Sequence, residues 1–255
     1  MRALLSIVYA LAAYLAFSAT LLWFIGFSGN LLVPRSVDVG GTAAPWPAAL
    51  VDDALLILLF GVQHSVMARR GFKQWWTRVV PPVVERSTYV VASSLALAAL
   101  MALWTPIAAP VAWRVEGPGA ALLWTLFGIG WAIVATSTFL LDHFELFGLR
   151  QAFAALTGRP APAMAFRTPL FYRHVRHPLY LGFLVTFWSV PAMTAGHLLL
   201  SAGMSAYILV GIAFEERDLV AQFGERYRAY RRQVGMLLPR LGASERERGE
   251  NASGR

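Results

Sequence analysis

The sequence predicts an all-α protein, a polytopic transmembrane helix bundle of four spans followed by a C-terminal helical hairpin and an amphipathic helix. Three observations carry this prediction. Only 14% of the residues are charged and 57% are hydrophobic, whereas soluble domains carry about a quarter charged residues. The apolar residues fall in runs with no Asp, Glu, Lys or Arg: between Arg2 and Arg35, Arg86 and Arg114, Glu116 and Asp142, and His177 and Glu215. A spanning helix needs roughly 20 such residues. The basic residues, finally, are segregated by position along the chain.

The elements follow in order. The first run predicts a helix over about Leu4–Phe27; it is too long for a cleavable signal peptide, and no small-x-small cleavage site precedes a soluble domain. A Pro/Gly-rich loop, Pro34–Pro47, precedes a second helix over about Ala48–Ala68, with Asp52 and Asp53 near its outer end. A basic loop, Arg69–Arg86, leads to a third helix over about Thr88–Ala108. After a short loop with Arg114 and Glu116 comes a fourth, about Gly119–Leu141. The segment Asp142–His177 is too polar to span. Leu179–Phe214 would measure roughly 54 Å as one helix, far beyond a 30 Å hydrocarbon core. Pro191 and Gly196 near its middle therefore predict a hairpin of two short helices, about Leu179–Val190 and His197–Phe214. Glu215–Val234 has Leu219, Phe223, Tyr227 and Tyr230 at three- and four-residue spacing with arginines between them, the pattern of an interfacial amphipathic helix. Beyond Pro239 the composition predicts a disordered tail, 240–255. No internal repeat is visible.

With the N-terminus inside, the alternation of spans places 20 of the 22 Lys and Arg residues on the cytoplasmic side and leaves only Arg35 and Arg114 outside. This split predicts a multi-pass protein of a bacterial inner membrane with both termini cytoplasmic. It also accounts for the net charge of +8 through the lipid bilayer, without a nucleic-acid partner. The absence of cysteine excludes disulfides, thiolate metal sites and a cysteine nucleophile. No His-Glu-x-x-His or similar spacing supports a metal site.

Polar groups at membrane depth are costly and mark function by default. Four sets stand out: Gln63 and His64 in the second helix; Asp142, His143 and Glu145 at the end of the fourth; His174, Arg176 and His177 before the hairpin; and Glu215, Glu216, Arg217 and Asp218 after it. Each has a bland explanation taken alone, as a helix-packing histidine or a solvated helix end. In the predicted topology all four arrive at one face, which favours an enzyme site there.

The stretch Arg176-His177-Pro178-Leu179-Tyr180-Leu181-Gly182 resembles the Arg-His-Pro-x-Tyr-x-Gly motif of the isoprenylcysteine carboxyl methyltransferase superfamily. As in that superfamily, a hydrophobic hairpin, a Glu-Glu pair (Glu215, Glu216), Phe223-Gly224 and the spaced Tyr227 and Tyr230 follow. Gln63-His64-Ser65, the stretch from Asp142 to Gln151, and Met193-Thr194-Ala195-Gly196-His197 resemble the bacterial methanethiol S-methyltransferases.

The resemblance implies S-adenosylmethionine as cofactor and a small thiol, methanethiol, as substrate. Residues 1–142 would form the four-helix part and 143–239 the cofactor-binding segment. Glu215 or Glu216 would take the ammonium or ribose hydroxyls, and His174, Arg176 or His177 the carboxylate. Tyr180, Tyr227 and Tyr230 would wall the adenine or face the sulfonium, and Gly182 would let the cofactor approach the backbone. The thiolate is the nucleophile, so a base is required. His143 and His64 are the candidates, with Gln63 and Asp142 beside them and Asp142 or Glu145 as orienting carboxylates; Phe60, Trp131 and Phe139 are candidate pocket lining. The alternatives are a methyltransferase for a lipid or prenylated-cysteine acceptor, and a non-enzymatic subunit that supports assembly of a respiratory complex.

Overall fold

A computed structural model describes residues 1–41, 44–158 and 168–240; the predicted tail from 241 onward lies outside the described residues. Five helices are long and apolar enough to cross a membrane: α1 (Arg2–Gly29), α2 (Trp46–Ala68), α4 (Pro82–Leu103), α5 (Gly117–Leu141) and α9 (Ala195–Phe223). Shorter helices connect them: α3 (Arg70–Trp76), α6 (His143–Leu146), α7 (Leu149–Thr157), α8 (Pro178–Trp188) and α10 (Glu225–Gln233). The protein is an all-α polytopic membrane bundle. Its outer surface carries exposed Leu15, Leu22, Leu55, Leu58 and Leu122, as expected of side chains that meet lipid rather than water.

Helix boundaries follow local chemistry. Proline occupies the first or second position of α2, α4, α5 and α8, where its missing N–H costs nothing. Asn30 closes α1 in a left-handed conformation, and its N–H reaches Gly26 and Phe27 carbonyls. Two boundaries differ from the sequence reading. The predicted third helix, Thr88–Ala108, is shifted: α4 starts at Pro82 and stops at Leu103, because Pro106 disfavours helix at the residue before it. The released Thr105 N–H is bound by the buried Asp53 carboxylate at 2.9 Å. The predicted separate helix Glu215–Val234 is also corrected. Residues up to Phe223 continue α9, since a change from apolar to charged side chains does not break a backbone. The break falls at Gly224 (φ 57°, ψ −131°), a conformation open to glycine alone.

The C-terminal hairpin consists of α8 and α9 joined by a short connection that bends at Pro191. Its tip forms the strand β2 (Ala192–Thr194), antiparallel to β1 (Val111–Arg114) in the α4–α5 connection. The tip thus lies on the face opposite α3, α6, α7 and α10. Val115 N–H donates to the Pro191 carbonyl (2.8 Å) and Trp113 Nε1 to that of Val190 (3.0 Å), so these two non-helical carbonyls are satisfied. The core between helices is aromatic: Phe24, Phe27, Trp104, Phe127, Trp131 and Phe187 pack in one buried cluster with Leu200 and Ile212. Along α8, Gly182 meets α5: a Cβ there would stand 2.7 Å from the Gly130 carbonyl oxygen and 2.9 Å from Val134 Cγ2. This is small-residue packing of two apolar helices. The Ser201 hydroxyl donates to the Phe187 carbonyl at 2.7 Å and ties α9 to α8.

Candidate active site

The hairpin returns both its ends to one face, so that Arg176 and His177 lie beside Glu215 and Glu216. Glu216, buried on α9, is the centre of an ionic network. One carboxylate oxygen accepts from Arg176 Nε at 2.7 Å and lies 3.2 Å from His177 Nε2; the other is 3.3 Å from Arg231 Nε. The Arg176 guanidinium also donates to the backbone carbonyls of Arg231 (3.2 Å) and Val234 (2.5 Å). It thereby satisfies the open end of α10. The chain after α10 runs alongside: Arg176 and His177 N–H groups donate to the carbonyls of Gly235 and Met236. Arg176, His177 and Glu216 are 9%, 4% and 7% exposed, so this is a buried charge set, held by mutual pairing.

Next to it opens a cleft of about 630 Å³, within the range of small-molecule sites. Helices α2 to α10 all contribute to its walls, most of all α2, α4 and α9. Glu215, unlike its neighbour, faces the cleft and accepts the Tyr180 hydroxyl at 2.8 Å. Tyr172, Tyr207, Tyr227 and Tyr230 add aromatic walls, while Arg69, Lys73 and Arg86 bring positive charge opposite Glu215 and Asp218. Burial raises the Tyr172 and Tyr227 phenols and pushes Tyr230 up to about 12. These side chains stay protonated near neutral pH; Tyr230 donates to the Tyr172 carbonyl at 2.5 Å.

The two histidine candidates part company. His64 lines the cleft, its Nε2 2.7 Å from the Tyr89 hydroxyl and its Nδ1 3.1 Å from the Ser93 hydroxyl. His143 is not among the lining residues. Its Nε2 meets the Tyr14 hydroxyl and its Nδ1 the Thr138 hydroxyl, both at 2.8 Å, and Phe139 stacks on it at 4.1 Å. Burial lowers its pKa. Asp142 does line the cleft, but it does not orient His143: it accepts the Glu145 N–H (3.1 Å) as the cap of α6 and pairs with Arg150.

Other expected positions are placed elsewhere. His174 is exposed at the end of a short 3-10 turn, Leu170–Arg173, and is not a lining residue. Gln63 donates to Met67 Sδ at 3.0 Å on its own helix. Gly182 faces α5 rather than the cleft, because the α5 backbone fills the space where a Cβ would stand. Of the expected lining, Phe60 packs on the His64 ring at 5.4 Å, Trp131 sits in the core against Phe183, and Phe139 is 62% exposed beside His143.

The chain is 53% identical over 94% of its length to methanethiol S-methyltransferase of Mycobacterium tuberculosis, covering 98% of that protein. It is 52% identical to methanethiol S-methyltransferase 2 of Bradyrhizobium diazoefficiens, over 94% of this chain and 92% of the other. The chain belongs to the methanethiol S-methyltransferase family. Nurim of Bos taurus is a more distant relative, 32% identical over 85% of this chain and 90% of its own. No family model and no solved structure matches. As a methanethiol S-methyltransferase family member, the chain is a membrane methyltransferase, and its cleft includes residues that motif reading passed over. Arg69, Lys73, Arg86 and Tyr89 come from a segment read only as a basic loop and a span. Their signal was present in the spacing: Arg86 and Tyr89 are three residues apart, on one face of α4.

Proposed function

We propose that this chain transfers a methyl group from S-adenosylmethionine to methanethiol, giving dimethyl sulfide and S-adenosylhomocysteine. The cleft opens to the cytoplasm of a bacterial inner membrane, and both termini lie on that side. The observation that carries the reading is the composition of the cleft: a part-exposed carboxylate, aromatic walls, cations and a histidine converge in one space at the basic face. That donor set fits a ligand that is at once cationic, aromatic and zwitterionic. When bound, the cofactor supplies an electrophilic methyl on a sulfonium.

The residues have distinct duties in this reading. Glu215, its orientation fixed by Tyr180, takes the ammonium or the ribose hydroxyls. His177 and the cations of the wall take the carboxylate, and the tyrosines enclose the adenine and the sulfonium. Arg176 and Glu216 hold the wall in place. His64 is the base, because it lines the cleft whereas His143 does not. A ring crowded by Phe60, Tyr89 and Tyr207 at 5.0–6.0 Å favours a small acceptor over a long prenyl chain. The enzyme supplies alignment, proton removal and exclusion of water.

The test is an assay of the purified protein with methyl-labelled cofactor against methanethiol and prenylated cysteine. Labelled dimethyl sulfide is expected. Methylation of prenylated cysteine alone, or of neither acceptor, would overturn the reading. A C-terminal reporter active only outside the cytoplasm should stay silent.

A further inference from the structure

His64 presents no open nitrogen. On one side of the ring Nδ1 faces the Ser93 hydroxyl at 3.1 Å, and on the other Nε2 faces the Tyr89 hydroxyl at 2.7 Å. Ser93 and Tyr89 stand four residues apart on α4, so one helix face grips both nitrogens of a histidine from α2. A neutral imidazole has one N–H and one acceptor nitrogen. If Ser93 takes the Nδ1 proton as acceptor, Nε2 is left to accept the Tyr89 O–H. The phenol oxygen then keeps its lone pairs for a donor in the cleft, which Tyr89 lines. The Arg86 guanidinium lies over the Tyr89 ring, 5.3 Å from its centroid.

We propose that Tyr89 is the residue that contacts the acceptor thiol, and that it relays the thiol proton to His64 by a concerted transfer of two protons. This rests on the thiol-methylation reading above and names its proton path. In the step, the thiol S–H bond breaks and its proton goes to the Tyr89 oxygen, while the phenol proton moves to His64 Nε2. The thiolate electron pair forms the new bond to the methyl carbon. The carbon–sulfonium bond of the donor breaks, and its pair returns to the donor sulfur, leaving a neutral thioether. The imidazolium later releases its proton to water. Charge is conserved, as the sulfonium cation becomes a histidine cation. Ser93 is a positioning residue that fixes the tautomer. The charged and titratable groups facing this pair are Arg86 and Glu85 from α4, Arg69 from α2, Lys73 from α3, Tyr180 from α8, and Tyr207 and Glu215 from α9.

The experiment uses the full chain in detergent or nanodiscs with methanethiol and S-adenosylmethionine. Tyr89→Phe keeps the ring and deletes the relay oxygen, and His64→Gln is the second variant. Each should lower kcat by about 10²-fold or more near neutral pH, with cofactor affinity by calorimetry unchanged. The deficit of Tyr89→Phe should shrink as pH rises, because the thiol is then already ionised in solution. The double variant should be no slower than the slower single one, since both act on one proton path. In mixtures of light and heavy water the wild-type rate should bend, reporting two protons in flight, and the Tyr89→Phe rate should not. A merely structural Tyr89 would move thermal stability and leave pH profile and isotope curvature untouched. The relay is overturned if an active wild type shows Tyr89→Phe with an undiminished rate and the same pH profile, or if the two variants multiply. A wild type that makes no dimethyl sulfide overturns the functional reading first, and the relay with it.

Discussion

Replacing Glu216 by Gln separates two glutamates that are adjacent in sequence and different in structure. The Glu216 carboxylate holds Arg176 Nε at 2.7 Å and lies 3.2 Å from His177 Nε2 and 3.3 Å from Arg231 Nε. Glutamine has the same volume, but it offers one acceptor oxygen and turns an NH₂ donor towards arginines that can only donate. Arg176 would stay buried without its counter-ion. Breaking one side of a buried pair costs about 3–5 kcal/mol; the share of half-exposed Arg231 is small, because water screens it. For a chain of this size each kcal/mol moves Tm by about 2–4 °C, so Glu216→Gln should melt on the order of 10 °C lower. The assay is thermal unfolding of purified protein, followed through its nine tryptophans. Glu215→Gln should behave in the opposite way. Its side chain is 42% exposed, so stability should change by no more than about 0.5 kcal/mol. Cofactor affinity should nevertheless fall roughly 10- to 100-fold, the effect of one charge-assisted hydrogen bond. A Glu216→Gln protein that melts like the wild type would refute this division, as would a Glu215→Gln protein that binds cofactor normally.

Three further outcomes are expected. His143→Ala should keep near-normal turnover and lose about 1 kcal/mol of stability through its two hydrogen bonds, whereas His64→Ala should lose about 10²–10⁴-fold in turnover; steady-state rates and melting curves on both variants separate them. The pKa of His143 is held below its ordinary 6.5 by burial, so the unfolded chain takes up a proton more readily than the folded one. Stability should therefore decline as pH falls below about 6.5, and a His143→Gln melting series over pH should be flatter there; an unchanged slope would refute the assignment. Gly182→Ala should wedge α8 from α5, because its Cβ meets backbone at 2.7 Å. The expected cost is about 1–3 kcal/mol in thermal unfolding, with cofactor affinity of the remaining folded protein unchanged.

The bundle was legible in the sequence because bilayer thickness imposes a length on every apolar run, and the uncharged runs reveal it directly. The convergence of His177 with Glu215 and Glu216 was legible too, since Pro191 and Gly196 marked a turn in a run too long for one span. The orientation of individual side chains was not. Glu215 and Glu216 differ only in which way each points from α9, one into the cleft and one into the Arg176 network. Asp142 directly precedes the candidate base His143, yet the cap of α6 turns Asp142 onto Glu145 N–H and Arg150. Sequence neighbours in a turn diverge in space, and the proximity of Asp142 and His143 in the chain carried no information about their contact. Tyr89 escaped notice because its partner lies on another helix.

The site at one face depends on a contact at the other. Helix α8 has 11 residues and rises only about 16 Å, roughly half of a 30 Å hydrocarbon core. The connection from Ser189 to Ala192, which bends at Pro191, covers the remaining height. The other arm reaches the same height as continuous helix, since Ala195 to Glu215 rises about 30 Å. The two arms match only while this non-helical connection keeps its shape, and non-helical backbone at membrane depth is tolerable only if its polar groups are satisfied. The α4–α5 connection meets that need: Val115 N–H, Trp113 Nε1 and the β1–β2 ladder bind the tip. The ladder therefore fixes the height of the hairpin, and the height brings Arg176 and His177 level with Glu216. A motif at the basic face is thus assembled by a strand pair that contains none of its residues.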